Sequence, residues 1–388
     1  MRTIAAVTVG RADAGILRPV LPALADGFQV QLVAAGTHAS PAGLDTLRDI
    51  AADGVMPAAL VSTVPEGDDP GAIARAMGAA VIGFTDAFAR LKPDLVLVIG
   101  DRFETAAAAL ACVPFGIALC HVHGGELSEG AIDERLRHAI TKLSHLHFVA
   151  GDRQAARVIQ MGEEPWRVIV SGAPALDQLK SIRLLPRGEL ETRLGRRFDA
   201  APLLVTYHPE TIEFAAAERH VVELTAALDG FDGQVVVTAP NVDTSHRTVR
   251  QHLQAWVSER PSAVYVEALG TQVYWSLMAI AGAVVGNSSS GIIEAASFKL
   301  PVVDIGQRQA GRDRPANVIH AGNDRREITR ALACALDPGF RRSLVDLVNP
   351  YGDGAAAARI AQTLRDVPLD ATLLTKRFHH LQSGVERA

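Results

Sequence analysis

Short apolar runs recur along the chain, and between them apolar positions return every three or four residues. The first pattern predicts buried strands and the second amphipathic helices. In the first half, strands are expected near 3–9, 29–34, 95–99, 117–121 and 146–149, with helices at 14–26, 40–53, 71–91, 103–112 and 130–144. The second half repeats this style. Its strands are expected near 167–171, 202–207, 234–238, 263–266, 283–285 and 301–304, and its helices near 213–228, 246–258, 272–280 and 290–298. Strands that are apolar throughout belong to parallel sheets covered on both faces. Their alternation with helices makes this an α/β protein.

A length of 388 residues is long for one hydrophobic core and suits two Rossmann-like domains. The turn residues of Gly172-Ala-Pro174-Ala-Leu-Asp177 place the boundary there, giving domains 1–173 and 174–365. The tail, 366–388, is expected to include a helix over Thr375-Lys-Arg-Phe-His-His-Leu and to pack back on the first domain. A run without charge from Thr105 to Val122 is broken by Val113-Pro114-Phe-Gly116, so it predicts a helix, a turn and a strand rather than a membrane span.

A net charge of −5 and a pI near 6.2 give no general attraction to nucleic acid or to an anionic membrane. An anionic ligand would need local donors. The three cysteines, Cys112, Cys120 and Cys334, are odd in number and sit in apolar segments, which indicates a reduced, cytoplasmic protein. The opening Met1–Val9 is too short for a signal sequence.

The chemistry concentrates after the apolar strand ending at Ile99. Gly100-Asp101-Arg102-Phe103-Glu104 is followed by His121-Val-His123-Gly-Gly-Glu126 and Ala131-Ile-Asp133-Glu134. Loops leaving the carboxyl ends of parallel strands bind ligands. Carboxylates are costly to desolvate, so several in one loop cluster point to acid–base work. His121 and His123 are expected on one strand face near Glu126, an arrangement that raises a metal site. No H-E-x-x-H or second tight ligand pair accompanies them, so no metal is assigned.

Three further segments read as phosphate or nucleotide contacts. In Gly10-Arg11-Ala-Asp13-Ala-Gly15, backbone N–H groups and Arg11 could meet a phosphate, although an ordinary βα turn explains the glycines as well. Gly286-Asn287-Ser288-Ser289-Ser290-Gly291-Ile-Ile-Glu294 follows a strand and opens a helix, so three hydroxyls and free N–H groups would form a pyrophosphate cradle without a lysine. A capping serine with its acidic partner accounts for one Ser and Glu294 but leaves the other residues unexplained. His208 ends the first strand of the second half, and Asn241 lies in the next such loop. Arg308, Arg312 and Arg314 follow another strand.

With these segments in hand, the chain resembles the hydrolysing UDP-N-acetylglucosamine 2-epimerases of the sialic-acid and legionaminic-acid type. The resemblance covers nearly the whole length. It is carried most specifically by G-D-R-F-E, H-V-H-G-G-E-L-S-E-G-A-I-D-E, R-H-A-I-T-K-L-S-H-L-H-F and G-N-S-S-S-G-I-I-E-A. It implies a GT-B-like fold, two Rossmann-like domains whose parallel sheets face across a cleft, and a homodimer or homotetramer. The implied reaction eliminates UDP from UDP-GlcNAc and rehydrates the 2-acetamidoglucal to N-acetylmannosamine. That sequence involves no net redox change, so it implies no cofactor and no metal.

Carried over by motif, Asp101, Glu126 and Asp133 match the catalytic carboxylates, with their division into base and acid left open. His208 and Arg11 would stabilise the departing diphosphate. Ser288, Ser289, Ser290 and Gly291 would hold phosphate, Glu294 the ribose, and Arg312 would assist the nucleotide. Asp13, Arg102, His123 and Asn241 would line the sugar pocket. The family usually has an aromatic residue after the first-loop acid, where this chain has Ala14, a change that would reshape that corner of the pocket. The alternatives are the same chemistry on a UDP- or GDP-linked 2,4-diacetamido-2,4,6-trideoxyhexose, or a GT-B glycosyltransferase.

Overall fold

A computed structural model describes residues 1–39, 47, 50, 54–63, 70–127, 132–210, 214–240 and 245–381, the side chains at 11, 12, 70 and 214 excepted. Contacts divide the chain into two units. One comprises Met1–Glu126, Ile132–Lys180 and the chain from Tyr351, and the other is mainly Ser181–Pro350. The sequence placed its divisions at 173/174 and 365/366; the contacts place them at 180/181 and 350/351.

Among the described residues, the first unit holds β1 (Arg2–Thr8), β2 (Phe28–Ala34), β3 (Pro57–Leu60), β4 (Leu95–Ile99), β5 (Ala118–Val122), β6 (Leu146–Val149) and β7 (Val168–Val170). They form a parallel sheet in the order β3-β2-β1-β4-β5-β6-β7. The central strand β4 shows why. Leu95, Leu97 and Ile99 enter one core with Leu17, Val20, Leu21, Leu24, Ile360 and Leu364, from the helices Arg11–Ala25 and Ala356–Asp366. Val96 and Val98 enter the opposite core with Phe84, Phe88 and Ala106–Ala109, from the helices Pro70–Leu91 and Phe103–Phe115. A strand buried on both faces needs apolar residues at every position. The helix Pro70–Leu91 is long and apolar enough to cross a membrane, but it buries Ala80, Phe84, Ala87 and Phe88 against this sheet.

Within the second unit, β8 (Leu203–Thr206), β9 (Val235–Thr238), β10 (Ala263–Val266), β11 (Ala283–Gly286), β12 (Val302–Ile305) and β13 (Val318–Ala321) are parallel, in the order β10-β9-β8-β11-β12-β13.

Several expectations need correction. β3 and β13 lie where no strand was expected. The helix expected over 290–298 is a short one, Ser289–Ile293, followed by a 3₁₀ turn, Ala295–Phe298, which ends at Lys299 with φ 53°. The helix expected to stop at 112 continues to Phe115, because Pro114 falls in its last turn, and Gly116 closes it with φ 63°. Most of the helix expected at 40–53 lies outside the described residues. The tail carries a four-residue helix, Ala371–Leu374, and none over 375–381. That stretch is held by side chains instead. The Arg167 guanidinium donates to the carbonyls of Leu373, Thr372 and Thr375, at 2.7, 2.9 and 3.1 Å, and Lys376 pairs with buried Glu163 at 2.8 Å.

Candidate active site

Each sheet reverses its strand order once, between β1 and β4 in the first and between β8 and β11 in the second. At such a point adjacent connections leave toward opposite faces, and a crevice opens at the carboxyl ends of the strands. The candidate residues fall at these two places.

The first crevice collects the carboxylates. Asp101 follows β4 directly, and its carboxylate is bound by Arg137 from the helix Ile132–Leu143. Arg137 is 2% exposed and also donates to the Glu126 carbonyl at 2.8 Å and to the Glu134 carboxylate at 3.2 Å. One buried guanidinium thus ties the β4 loop, the β5 loop and the start of that helix together, using the fork geometry that a lysine lacks. Glu126 is itself buried, and its Oε1 lies 2.7 Å from His123 Nδ1. Asp133 is half-buried in the first turn of the helix and adds to the field around Arg102. The guanidinium of Arg102 is half exposed and paired with buried Glu104 at 3.2 Å.

Asp13, just past β1, accepts the Val9 N–H at 3.2 Å. Burial pushes its carboxyl up to about 6, against the downward pull of Arg102, the Val9 amide and His123. A carboxyl near neutrality can give and take protons at working pH.

The histidines do not share a strand face as expected. β5 ends at Val122, and His123 turns away with φ 66°, a conformation that side chains rarely adopt and that costs about 1 kcal/mol or more. His121 stays inside, its Nε2 2.7 Å from the Gly100 carbonyl and its Nδ1 3.2 Å from Thr141 Oγ1. A carbonyl only accepts, so Nε2 carries the hydrogen and Nδ1 accepts from the threonine. Burial lowers its pKa to about 3, so the ring is neutral and its nitrogens are committed. Among the described residues no group of three or more His, Cys, Asp or Glu is arranged to hold a metal. Ala14 is 4% exposed and belongs to the core around Leu17.

The second crevice assembles the nucleotide candidates. Gly286 ends β11 with φ 137°, and a Cβ there would lie 2.0 Å from the Thr206 carbonyl, so only glycine lets β11 approach β8 this closely. Asn287 then clamps the two loops. Its Oδ1 accepts the His208 N–H at 2.7 Å, and its Nδ2 donates to the His208 carbonyl at 2.9 Å. His208 is 4% exposed, and burial, helped by Arg308, lowers its pKa to about 3. It enters as a neutral ring that can donate an N–H, not as a cation.

Ser288 caps the helix Ser289–Ile293, its Oγ accepting from the Ser290 amide at 3.4 Å and the Ser290 hydroxyl at 3.0 Å. The serine half of the capping alternative is therefore realised, while Glu294 sits at the other end of the helix and takes no part in the cap. With a helix this short the dipole contributes little, and the hydroxyls and backbone donors carry the electrostatics. Ser289 and Ser290 are half-buried, and Gly291 is buried. The carboxyl of Glu294 is raised to about 7 by burial, and its Oε2 accepts from Trp275 Nε1 at 2.7 Å. Arg308 donates weakly to the Asn287 carbonyl at 3.5 Å, beside Gln309 at 2.9 Å; Arg312 is half-buried in the same loop. Asn241 and the side chain of Arg11 lie outside the described residues.

The contacts of Arg137, Asn287 and Trp275 escape the sequence. Each acts through a contact distant along the chain, and only the i,i+3 spacing of Glu134 and Arg137 was available as a signal.

The profile of the UDP-N-acetylglucosamine 2-epimerase family matches residues 23–365. A Legionella pneumophila protein named UDP-N,N'-diacetylbacillosamine 2-epimerase (hydrolyzing) is 34% identical over 384 residues, covering 97% of this chain and 99% of that one. A Campylobacter jejuni protein named GDP/UDP-N,N'-diacetylbacillosamine 2-epimerase (hydrolyzing) is 35% identical over 382 residues, covering 97% and 98%. The solved structure of a Neisseria meningitidis UDP-GlcNAc 2-epimerase bound to UDP-GlcNAc matches with a TM-score of 0.82 at 19% identity, over 94% of this chain and 99% of that one. That likeness establishes the fold, a GT-B-like pair of parallel-sheet α/β domains. Two full-length relatives above 30% identity and a profile spanning both sheets agree: the chain belongs to the UDP-N-acetylglucosamine 2-epimerase family.

Proposed function

We propose that this enzyme is a hydrolysing 2-epimerase, releasing UDP and a free 2-epimerised sugar from a UDP-linked 2-acetamido hexose. The observation that carries the reading is the carboxylate group at the β1/β4 crevice, organised by buried Arg137. The sequence ranked UDP-GlcNAc first. The names of the two relatives above favour a 2,4-diacetamido sugar, so UDP-N,N'-diacetylbacillosamine takes first place and UDP-GlcNAc second.

The chemistry asks for such a group. The proton on carbon 2 is barely acidic and leaves as the bond from carbon 1 to the diphosphate breaks. The C–H pair becomes the double bond of a glycal, and UDP departs with the C–O pair. Positive charge builds on carbon 1 meanwhile, and nearby carboxylates stabilise it. Water then returns hydroxide to carbon 1 and a proton to the opposite face of carbon 2, so two proton-transfer groups are needed. Asp101, Glu126 and Asp133 supply them. In the second unit the hydroxyls of Ser288, Ser289 and Ser290, the backbone at Gly291 and the neutral N–H of His208 receive the diphosphate, and Glu294 takes the ribose.

The test is NMR in deuterated water with each UDP sugar. Free UDP with deuterium at carbon 2 of the released sugar is expected; release without deuterium would rule out elimination. Asp101→Asn should lower turnover about 10²- to 10⁴-fold with UDP affinity retained. An undiminished rate would remove Asp101 from the reaction.

A further inference from the structure

The helix Gly270–Ile280 carries consecutive aromatic residues, Tyr274 and Trp275, to which the reaction above gives no role. Each reaches the turn after β11. The Tyr274 hydroxyl lies 2.7 Å from Ser290 Oγ and 3.2 Å from Thr206 Oγ1, which lies 2.8 Å from Thr238 Oγ1. Thr238 and Thr206 are the last residues of β9 and β8, so a line of hydroxyls crosses the strand ends to Ser290. Trp275 is 1% exposed, and its Nε1 donates to Glu294 Oε2 at 2.7 Å. Adjacent residues of one helix thus grip two side chains four residues apart on the nucleotide turn.

We propose that Tyr274 and Trp275 are positioning residues of the nucleotide site, Tyr274 orienting the Ser290 hydroxyl toward phosphate and Trp275 holding the Glu294 carboxyl toward ribose. The inference rests on the nucleotide reading of Ser288–Glu294. A phosphate oxygen only accepts, so to serve it Ser290 must turn outward the hydrogen that it otherwise gives to Ser288 Oγ, while a donor behind it fills its own lone pair. A buried phenol that stays protonated does this; burial raises Tyr274 to about 12. An unanchored carboxyl must lose rotamer freedom each time a ligand binds. The indole N–H occupies Oε2 in advance and leaves Oε1 to accept from a ribose hydroxyl.

The experiment is calorimetric titration of UDP and 2′-deoxy-UDP into the full-length wild type, Tyr274→Phe, Trp275→Phe and Glu294→Gln. Tyr274→Phe should weaken both ligands equally, by about tenfold at most. Trp275→Phe should instead collapse the preference for UDP over 2′-deoxy-UDP, and Glu294→Gln should reproduce that collapse without disturbing the core. The preference is a ratio within one protein, so partial unfolding of a variant leaves it unchanged. Equal weakening of both ligands by Trp275→Phe, or wild-type affinities in Tyr274→Phe, overturns the inference. Failure of the wild type to bind UDP overturns the nucleotide reading as well, and so distinguishes the two.

Discussion

Arg137→Lys probes the organisation of the carboxylates without removing charge. The arginine spans three acceptors: the Asp101 carboxylate, the Glu126 carbonyl at 2.8 Å and the Glu134 carboxylate at 3.2 Å. A single ammonium on a flexible stem cannot hold all three. Each lost charge-assisted bond is worth about 1.5–3 kcal/mol. The side chain of Asp101 is 24% exposed, so water reclaims part of its share and the lower figure applies there. A net destabilisation of about 2–3 kcal/mol is expected, below the value for a fully buried broken pair.

The effect on turnover should be larger than that stability loss conveys. Displacing a catalytic group by about 1 Å costs on the order of 10²-fold in rate. The assay is UDP release, giving kcat/KM for wild type, Arg137→Lys, Asp101→Asn and the double variant, with thermal melts to fix the folded fraction. If Arg137 acts by placing Asp101, its substitution should cost about 10²-fold in the wild type and about tenfold or less once Asp101 is already asparagine. Factors that simply multiply would refute the shared role. So would a folded Arg137→Lys enzyme of full activity.

Glu163 is buried, and burial alone would raise its pKa, but hydrogen bonds from His147, Lys142 and Lys376 hold it at about 2. Its contribution is present above its unfolded value near 4.5 and is lost as pH falls toward 2, so Glu163→Gln should flatten the acid limb of stability in that window. The same Glu163→Gln change weakens the Lys376 anchor and should speed tryptic cleavage of the tail, and equal cleavage rates would show that this pair does not hold it. Gly286→Ala should destabilise by about 2–5 kcal/mol, since its Cβ meets the Thr206 carbonyl at 2.0 Å. An unchanged melt would show that β11 does not need that approach.

Strand positions were readable where burial is two-sided, as in β4, because every residue there must be apolar. β3 was not, since Pro57-Ala-Ala-Leu60 is an edge strand of weak β-formers. Helix starts divide the same way. Asp324 caps Arg325–Ala335 from the preceding position, a local signal, yet no helix was expected there. The helix Ala356–Asp366 is capped by Asp177, whose carboxylate accepts from the Ala356 and Ala357 amides at 2.9 and 2.6 Å. No local pattern carries that. The candidate site follows suit: strand ends announced Asp101, His208 and Ser288, whereas the clamps on them, Arg137 and Asn287, come from elsewhere along the chain.

The electrostatics also decide which group sets the pH dependence. Burial leaves His121 and His208 neutral, each with a pKa near 3, so neither titrates in the working range. Asp13, faced by Arg102, Glu104, His123 and the Val9 amide, is raised from 3.8 to about 6 chiefly by burial. A carboxyl raised in the folded state binds more protons there than when unfolded, so stability falls as pH climbs from about 4 through 6. Asp13→Asn removes that cost: the variant should be more stable than wild type above pH 6 and no more stable below 4. If the ionised carboxylate serves the developing positive charge on carbon 1, kcat/KM of the wild type should rise through a limb near pH 6, and the variant should lose both the limb and most of the rate. Stability gained where activity is lost marks a residue kept for chemistry. A variant that retains the limb would assign it to another group, and Glu294, which burial raises to about 7, would be the next to test.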